Sequence, residues 1–232
     1  LEKGHDVTVV DIMWFGNHLK ECKGLTIIEA DIRNIDQIPM RGMDVVIHLA
    51  GIAHDIGGNY NDSDYDRVNV NLTKQIFEKF VNSSSKKFIF LSSSKVYGDN
   101  LKETCEDAKL SPVSKYAKTK VECEKWLEEN KKEKKIYVLR PAMIHGEGSR
   151  GNLNLLNKLL SNLLFNPFAS IHNSRSFLYV ENFCFLIQEI IKDNVIPGTY
   201  NVVVSSKLLS KFTSEDYDLT YYIALEPDST FG

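Results

Sequence analysis

No apolar run in this 232-residue chain approaches the roughly 18 residues that span a bilayer, and no charged stretch followed by an apolar one opens it. The sequence therefore reads as cytoplasmic, with no membrane partner. Cysteine is scarce: Cys22, Cys105, Cys123 and Cys184 stand far apart, without the paired spacing of a metal site or the density of a disulfide framework. Reduced structural thiols and no bound metal follow from that. Basic charge is not in excess either. Lys and Arg number 28 against 31 Asp and Glu, and the net charge of -3 is spread with the signs interspersed, so no field exists to hold a nucleic acid. The Lys-rich stretch 131–135 then reads as a solvated helix end. Repeats and low-complexity segments are absent as well, which excludes solenoids and arrays.

What is present is a chain with 43% hydrophobic and 25% charged residues, enough for one core with a smaller appendage. Residues 1–5 read as the last turn of a helix closed by Gly4, so an element upstream of Leu1 is expected. Short β-branched runs at 5–11, 25–29, 43–49, 87–92, 136–140, 176–180 and 198–204 have the pattern of buried parallel strands. Helical spacing appears at 65–80, 116–129, 152–164 and 180–191. Strands alternating with helices predict crossover units, an α/β class and a parallel sheet. Residues 1–148 are read as the main domain and 149–232 as mainly a substrate-covering region, with 176–191 packing back on the first. Periodicity fades beyond Ser205.

Tyr116 and Lys120 stand at i and i+4, on one face of a predicted helix, where the ammonium favours the phenolate and so a general base. Chance alone would supply such a pair in a chain this rich in Tyr and Lys. Position makes it informative. The preceding strand ends in Ser92-Ser93-Ser94-Lys95-Val96-Tyr97-Gly98, at the carboxyl edge where parallel sheets bind ligands, so a serine hydroxyl and the Tyr/Lys pair converge. Asp11 ends another strand. There it can accept hydrogen bonds from both hydroxyls of an adenosine ribose and repel a 2′-phosphate, or else cap its own turn.

With these residues in that order, the chain resembles the extended short-chain dehydrogenase/reductase superfamily, of the epimerase/dehydratase kind that modifies nucleotide sugars. The resemblance implies a Rossmann-type doubly wound parallel sheet with a small interleaved C-terminal substrate region. It implies NAD as cofactor. It makes Tyr116 the acid/base, Lys120 its partner that also contacts the nicotinamide ribose, and Ser93 the hydroxyl beside the reacting oxygen, with Ser94 next to it on the substrate side. Asp31 and Ile32 match a segment touching adenine, and Leu49, Ala50 and Gly51, after His48, match the turn beneath the pyrophosphate. His48 itself is read as structural, and Asn69 as a helix asparagine that helps hold the active site. Asn152 and Arg175 match positions that bind a UDP-sugar diphosphate. Arg175 has the donor fork for phosphate, although a surface ion pair is the plainer alternative.

Departures from the resemblance are as telling. The glycine-rich G-x-x-G-x-x-G turn does not occur, so the family's first strand and turn are expected upstream of Leu1, and the chain without them should bind cofactor poorly. Met143 replaces an asparagine that contacts the sugar or diphosphate in many members. Ser94-Lys95 replaces the Asp-Glu pair of 4,6-dehydratases, so that elimination is not expected. The expected activity is NAD-dependent 4-epimerisation of a UDP-hexose or UDP-N-acetylhexosamine through a 4-keto sugar. A UDP-4-keto-sugar reductase of the N-acetylquinovosamine type is the alternative, which the run 151–156 and residues 173–176 also resemble. A non-catalytic dinucleotide sensor is the reading from another class. The nucleotide sugar is the expected partner, and a homodimer is admitted.

Overall fold

Four β-branched or apolar residues in a row, at 7–10 and 25–28, favour an extended backbone. In the computed structural model, which describes residues 1–14, 16–53, 60–98, 104–146 and 176–203, they form it. β1 (Val7–Asp11) and β2 (Leu25–Glu29) pair in parallel, from Val7 opposite Leu25 to Asp11 opposite Glu29. β3 (Val45–His48) and β4 (Lys87–Leu91) form a second parallel pair, from Val45 opposite Lys87 to His48 opposite Phe90. The chain divides into two compact units, the first comprising Leu1–Phe90 with Lys115–Ile136 and the second Leu91–Ser114 with Tyr137–Gly232.

In the first unit a long helical segment follows β3. It opens as α1 (Asp62–Tyr65), where Asn61 and Asp64 cap each other: the Asn61 side chain accepts from Asp64 N–H and the Asp64 carboxylate accepts from Asn61 N–H. It then widens into a π-helical turn, Asp66–Asn71, and tightens again as α2 (Leu72–Val81). Phe77 and Phe80 of α2 pack on Phe88 of β4, with ring centroids 5.0 and 5.1 Å apart. Trp126 of α3 (Lys115–Asn130) meets the edge of Phe77 at 5.7 Å. These rings anchor α3, and with it Tyr116 and Lys120, to the helix that carries Asn69.

The second unit holds β5 (Lys135–Pro141) and β8 (Gly198–Val202), parallel from Tyr137 opposite Gly198 to Pro141 opposite Val202. It also holds a short parallel pair, β6 (Met143–His145) and β7 (Phe177–Tyr179), with α4 (Val180–Ile191) starting directly after β7. Leu178, Leu186 and Ile190 are fully buried.

All described strand pairs are parallel, and helical segments lie between β3 and β4 and between β4 and β5, as alternation of the two periods predicts. Residues 1–4 make a tight turn closed by Gly4, with Gly4 N–H to Leu1 O at 2.8 Å and a positive φ of 81°. Two details differ from the sequence reading. β6 is too short, at three residues, to leave a period in sequence. Lys134 is no solvated helix end: its ammonium donates to Ser83 O at 2.8 Å and Ser85 O at 2.7 Å and lies over the Phe80 ring, tying the start of β5 to the end of α2. The expected boundary at 148 and the helix 152–164 fall outside the described residues, as do Asn152 and Arg175. No described helix is long and apolar enough to cross a membrane.

Candidate active site

In the first unit the loops at the carboxyl ends of the strands carry the expected cofactor residues. Because Asp11 lies opposite Glu29 and its carbonyl accepts from Ala30 N–H at 3.0 Å, Asp11 and Asp31 emerge side by side where β1 and β2 end. Asp11 Oδ1 accepts from Met13 N–H at 2.6 Å, the turn-cap role weighed from sequence. Asp31 is clamped by Arg33, whose Nε lies 2.9 and 2.7 Å from its two oxygens. That guanidinium holds the Asp31 carboxyl below its usual range. Ile32 is half-buried beside it.

Leu49, Ala50 and Gly51 leave the end of β3. Asn69, on the π turn and 2% exposed, grips the next residue from both sides: Oδ1 accepts from Ile52 N–H at 2.7 Å and Nδ2 donates to Ile52 O at 3.0 Å. Nδ2 also reaches Thr119 Oγ1 at 3.2 Å, and Thr119 donates to Tyr116 O at 2.7 Å. One amide thus ties the turn after β3 to the helix that carries Tyr116 and Lys120. Gly51 is flush with this amide. A Cβ there would sit 3.0 Å from Asn69 Oδ1 and 3.9 Å from Lys120 Nζ, so a side chain would crowd the amide that grips this turn.

Tyr116 and Lys120 occupy the first turns of α3. Lys120 is only 4% exposed, with Nζ 4.6 Å from the Phe90 ring centroid and 5.7 Å from that of Tyr116. Burial disfavours its charge and brings its pKa down to about 8. The ammonium is therefore held against the phenol ring inside the protein. His48 is buried and neutral, its pKa pushed down to about 3 by burial and then by the Lys120 charge, which agrees with a structural role. Cys123, one turn beyond Lys120, is a buried thiol pushed up to about 11. All four cysteines are free thiols, and no cluster able to hold a metal occurs among the described residues.

In the second unit, Ser93 caps the 3₁₀ turn Ser94–Tyr97, accepting from Lys95 N–H at 3.3 Å. Ser93 and Ser94 are half-exposed while Ser92 is buried, its N–H donating to Leu139 O at 2.7 Å. The turn is braced from behind. The Tyr97 hydroxyl accepts from Arg140 at 2.6 Å and donates to Asn201 Oδ1 at 2.8 Å. Arg140 also donates to Glu106 O at 2.8 Å, and the Glu106 carboxylate accepts from Asn201 N–H at 2.6 Å. Gly98, at φ 75°, lies so close to Ser111 that a Cβ would stand 2.4 Å from its carbonyl oxygen.

Sequence reasoning singled out neither Thr119 and Thr73 nor the Glu106 and Asn201 brace. Thr119 had a readable signal, a polar residue at an inward helical position between Tyr116 and Lys120. The brace joins residues 95 positions apart and had none.

A family model for the NAD dependent epimerase/dehydratase family matches residues 1–202. Among curated proteins, UDP-glucose 4-epimerase of Vibrio cholerae is 30% identical over 159 residues, 65% of this chain and 48% of that protein. N-acetyl-alpha-D-glucosaminyl-diphospho-ditrans,octacis-undecaprenol 4-epimerase of Escherichia coli O157:H7 is 31% identical over 179 residues, 75% of this chain and 53% of that protein. The chain thus spans about half the length of these curated relatives. Among solved structures, UDP-N-acetylglucosamine 4-epimerase from Methanobrevibacter ruminantium M1, in complex with UDP-N-acetylmuramic acid, superposes with a TM-score of 0.70 at 25% identity, covering 89% of this chain and 72% of that one. The parallel α/β architecture, the Tyr116/Lys120 helix and the family match over residues 1–202 agree, and the chain belongs to the NAD-dependent epimerase/dehydratase family.

Proposed function

We propose that the full-length protein is an NAD-dependent 4-epimerase of a nucleotide sugar, a UDP-hexose or UDP-N-acetylhexosamine. The observation that carries this reading is the Lys120 ammonium, buried 5.7 Å from the Tyr116 ring centroid beside the glycine turn that Asn69 holds. The residues fit the cofactor, since a Cβ would obstruct Gly51 where a dinucleotide's pyrophosphate would pass, and two carboxylates stand where β1 and β2 end. Asp11 would hold the adenosine ribose, Asp31 and Ile32 would lie along adenine, and Lys120 would hold the nicotinamide ribose. NAD, when bound, supplies the acceptor and the donor of hydride.

Tyr116 takes the proton of the sugar O4 as that carbon is oxidised and returns it when the 4-keto sugar is reduced on its other face. Lys120 keeps the phenolate accessible near neutral pH by placing positive charge beside it. Ser93 hydrogen-bonds the reacting oxygen, with Ser94 beside it, and Asn152 and Arg175 would take the diphosphate. The relatives named as 4-epimerases favour epimerisation over the 4-ketoreductase reading, which would use the same trio. Ser94 and Lys95 supply no acid/base pair for dehydration.

The test is incubation of full-length protein with a panel of UDP-sugars and catalytic NAD, with products separated and identified by NMR. Formation of the C4 epimer without net change in NAD redox state supports the reading. Stoichiometric NADH consumption on a 4-keto sugar assigns the reductase, and no turnover together with retained NAD binding assigns the sensor.

A further inference from the structure

The π turn that presents Asn69 has a cost. Widening the helix breaks the regular bonding of its carbonyls, and such a turn persists only where the freed groups find partners. Leu72 N–H reaches back to Arg67 O, five residues away, and the Asn69 carbonyl accepts from two side chains, Thr73 Oγ1 at 2.6 Å and Cys123 Sγ at 3.2 Å. Thr73 is 1% exposed. A hydroxyl has one proton, and that of Thr73 goes to Asn69 O. Thr73 Oγ1 can therefore only accept from His48 Nε2, which stands 2.8 Å away. With the Thr73 proton on the Asn69 carbonyl, the chain runs from His48 N–H to Thr73 O–H to Asn69 O.

We propose that His48 and Thr73 are positioning residues that lock the π turn, and through Asn69 set both the Gly51–Ile52 turn and the helix bearing Tyr116 and Lys120. The inference rests on the reading of this site as an NAD site. His48 ends β3, directly before Leu49, so a single buried bond joins the strand that launches the nucleotide-side turn to the helix that clamps that turn at Ile52. Without it, relaxation to 3.6 residues per turn would carry the Asn69 amide away from Ile52 and Thr119. The imidazole must be the neutral Nε2–H tautomer, and its burial keeps it neutral.

Thr73→Val keeps the shape of the side chain and removes both bonds, leaving a buried N–H without its acceptor. Thr73→Ser restores them. In full-length protein, Thr73→Val is expected to weaken NAD binding by calorimetry, and to lower kcat at saturating NAD, by about tenfold each, with Thr73→Ser within about twofold of wild type. Nitrogen-15 NMR of the wild type should show His48 as the Nε2–H tautomer, without titration between about pH 5 and 8. Val and wild-type proteins that bind and turn over alike overturn the proposal, as does a Ser variant as impaired as Val, or an Nδ1–H tautomer. If Thr73→Val does not fold, the Ser variant and the tautomer decide. If wild type binds NAD but converts no nucleotide sugar, the proposed activity fails, while NAD affinity and tautomer still judge His48 and Thr73.

Discussion

At the scale of residues, Lys120 concentrates the chemistry and its cost. Its ammonium is buried, so the native state would rather shed its proton than hold it, and the pKa falls from 10.5 to about 8. Below pH 8 both folded and unfolded chains are protonated and the folded one bears the full penalty. Between about pH 8 and 10.5 the folded chain is neutral while the unfolded one still holds the proton, and the penalty is relieved. Lys120→Met is therefore expected to stabilise the protein by on the order of 1–3 kcal/mol near neutral pH, with a gain that shrinks above pH 8, while removing activity. Thermal melts across pH check this, and a variant less stable than wild type at pH 7 contradicts it. The same titration removes the charge beside Tyr116, so kcat/KM of the wild type should fall above about pH 8. Tyr116→Phe keeps the ring and deletes the oxygen, and should lower kcat about 10²- to 10⁴-fold with an unchanged circular dichroism spectrum. A folded Tyr116→Phe protein with wild-type turnover would defeat the mechanism.

At the scale of elements, one turn in each unit carries candidate residues. The π turn of Asp66–Asn71 is held by polar side chains in a dry place. His48 is its acid-sensitive point: the folded pKa is about 3 against 6.5, so the unfolded chain binds the extra proton and stability is lost as pH falls from about 6.5 toward 3. His48→Gln should show a shallower loss of melting temperature over that range. The 3₁₀ turn Ser94–Tyr97 is held by the Tyr97 hydroxyl bonds to Arg140 and Asn201 and by backbone shape at its end. Gly98 has φ 75° and ψ -149°, a region open to glycine alone, and stands against the Ser111 carbonyl. Gly98→Ala should cost at least about 1–3 kcal/mol in denaturant unfolding and reduce turnover through Ser93. A neutral effect would mean that the loop yields freely.

At the scale of the molecule, cofactor binding should couple to stability. NAD at about 100 times its Kd adds roughly 2.7 kcal/mol, which for a protein of this size raises Tm by about 5–10 °C. NADP at equal concentration should do less. If Asp11 faces the ribose, as its place at the end of β1 allows, the 2′-phosphate is repelled and preference for NAD reaches at least about tenfold, or 1.4 kcal/mol. Equal shifts would leave Asp11 as the cap of Met13 and nothing more.

Most of the described strands and helices, and the family, could be read from the chain alone, because periodicity and motif order are local and survive in one dimension. β1, β2 and α4 lie where the β-branched runs and the helical period put them, and Ser93, Tyr116 and Lys120 are singled out as candidates by their neighbours in the chain. Only the tertiary structure decided what holds those residues. Asn69 could be named from sequence, but not its two-sided grip on Ile52, 17 residues away, nor the π turn that aims it. Lys134 looks solvated in a run of lysines and is instead bonded to carbonyls about 50 residues distant. Hydrogen bonds between segments distant in sequence leave no period, and a buried polar group takes its meaning from partners that folding alone brings within 3 Å.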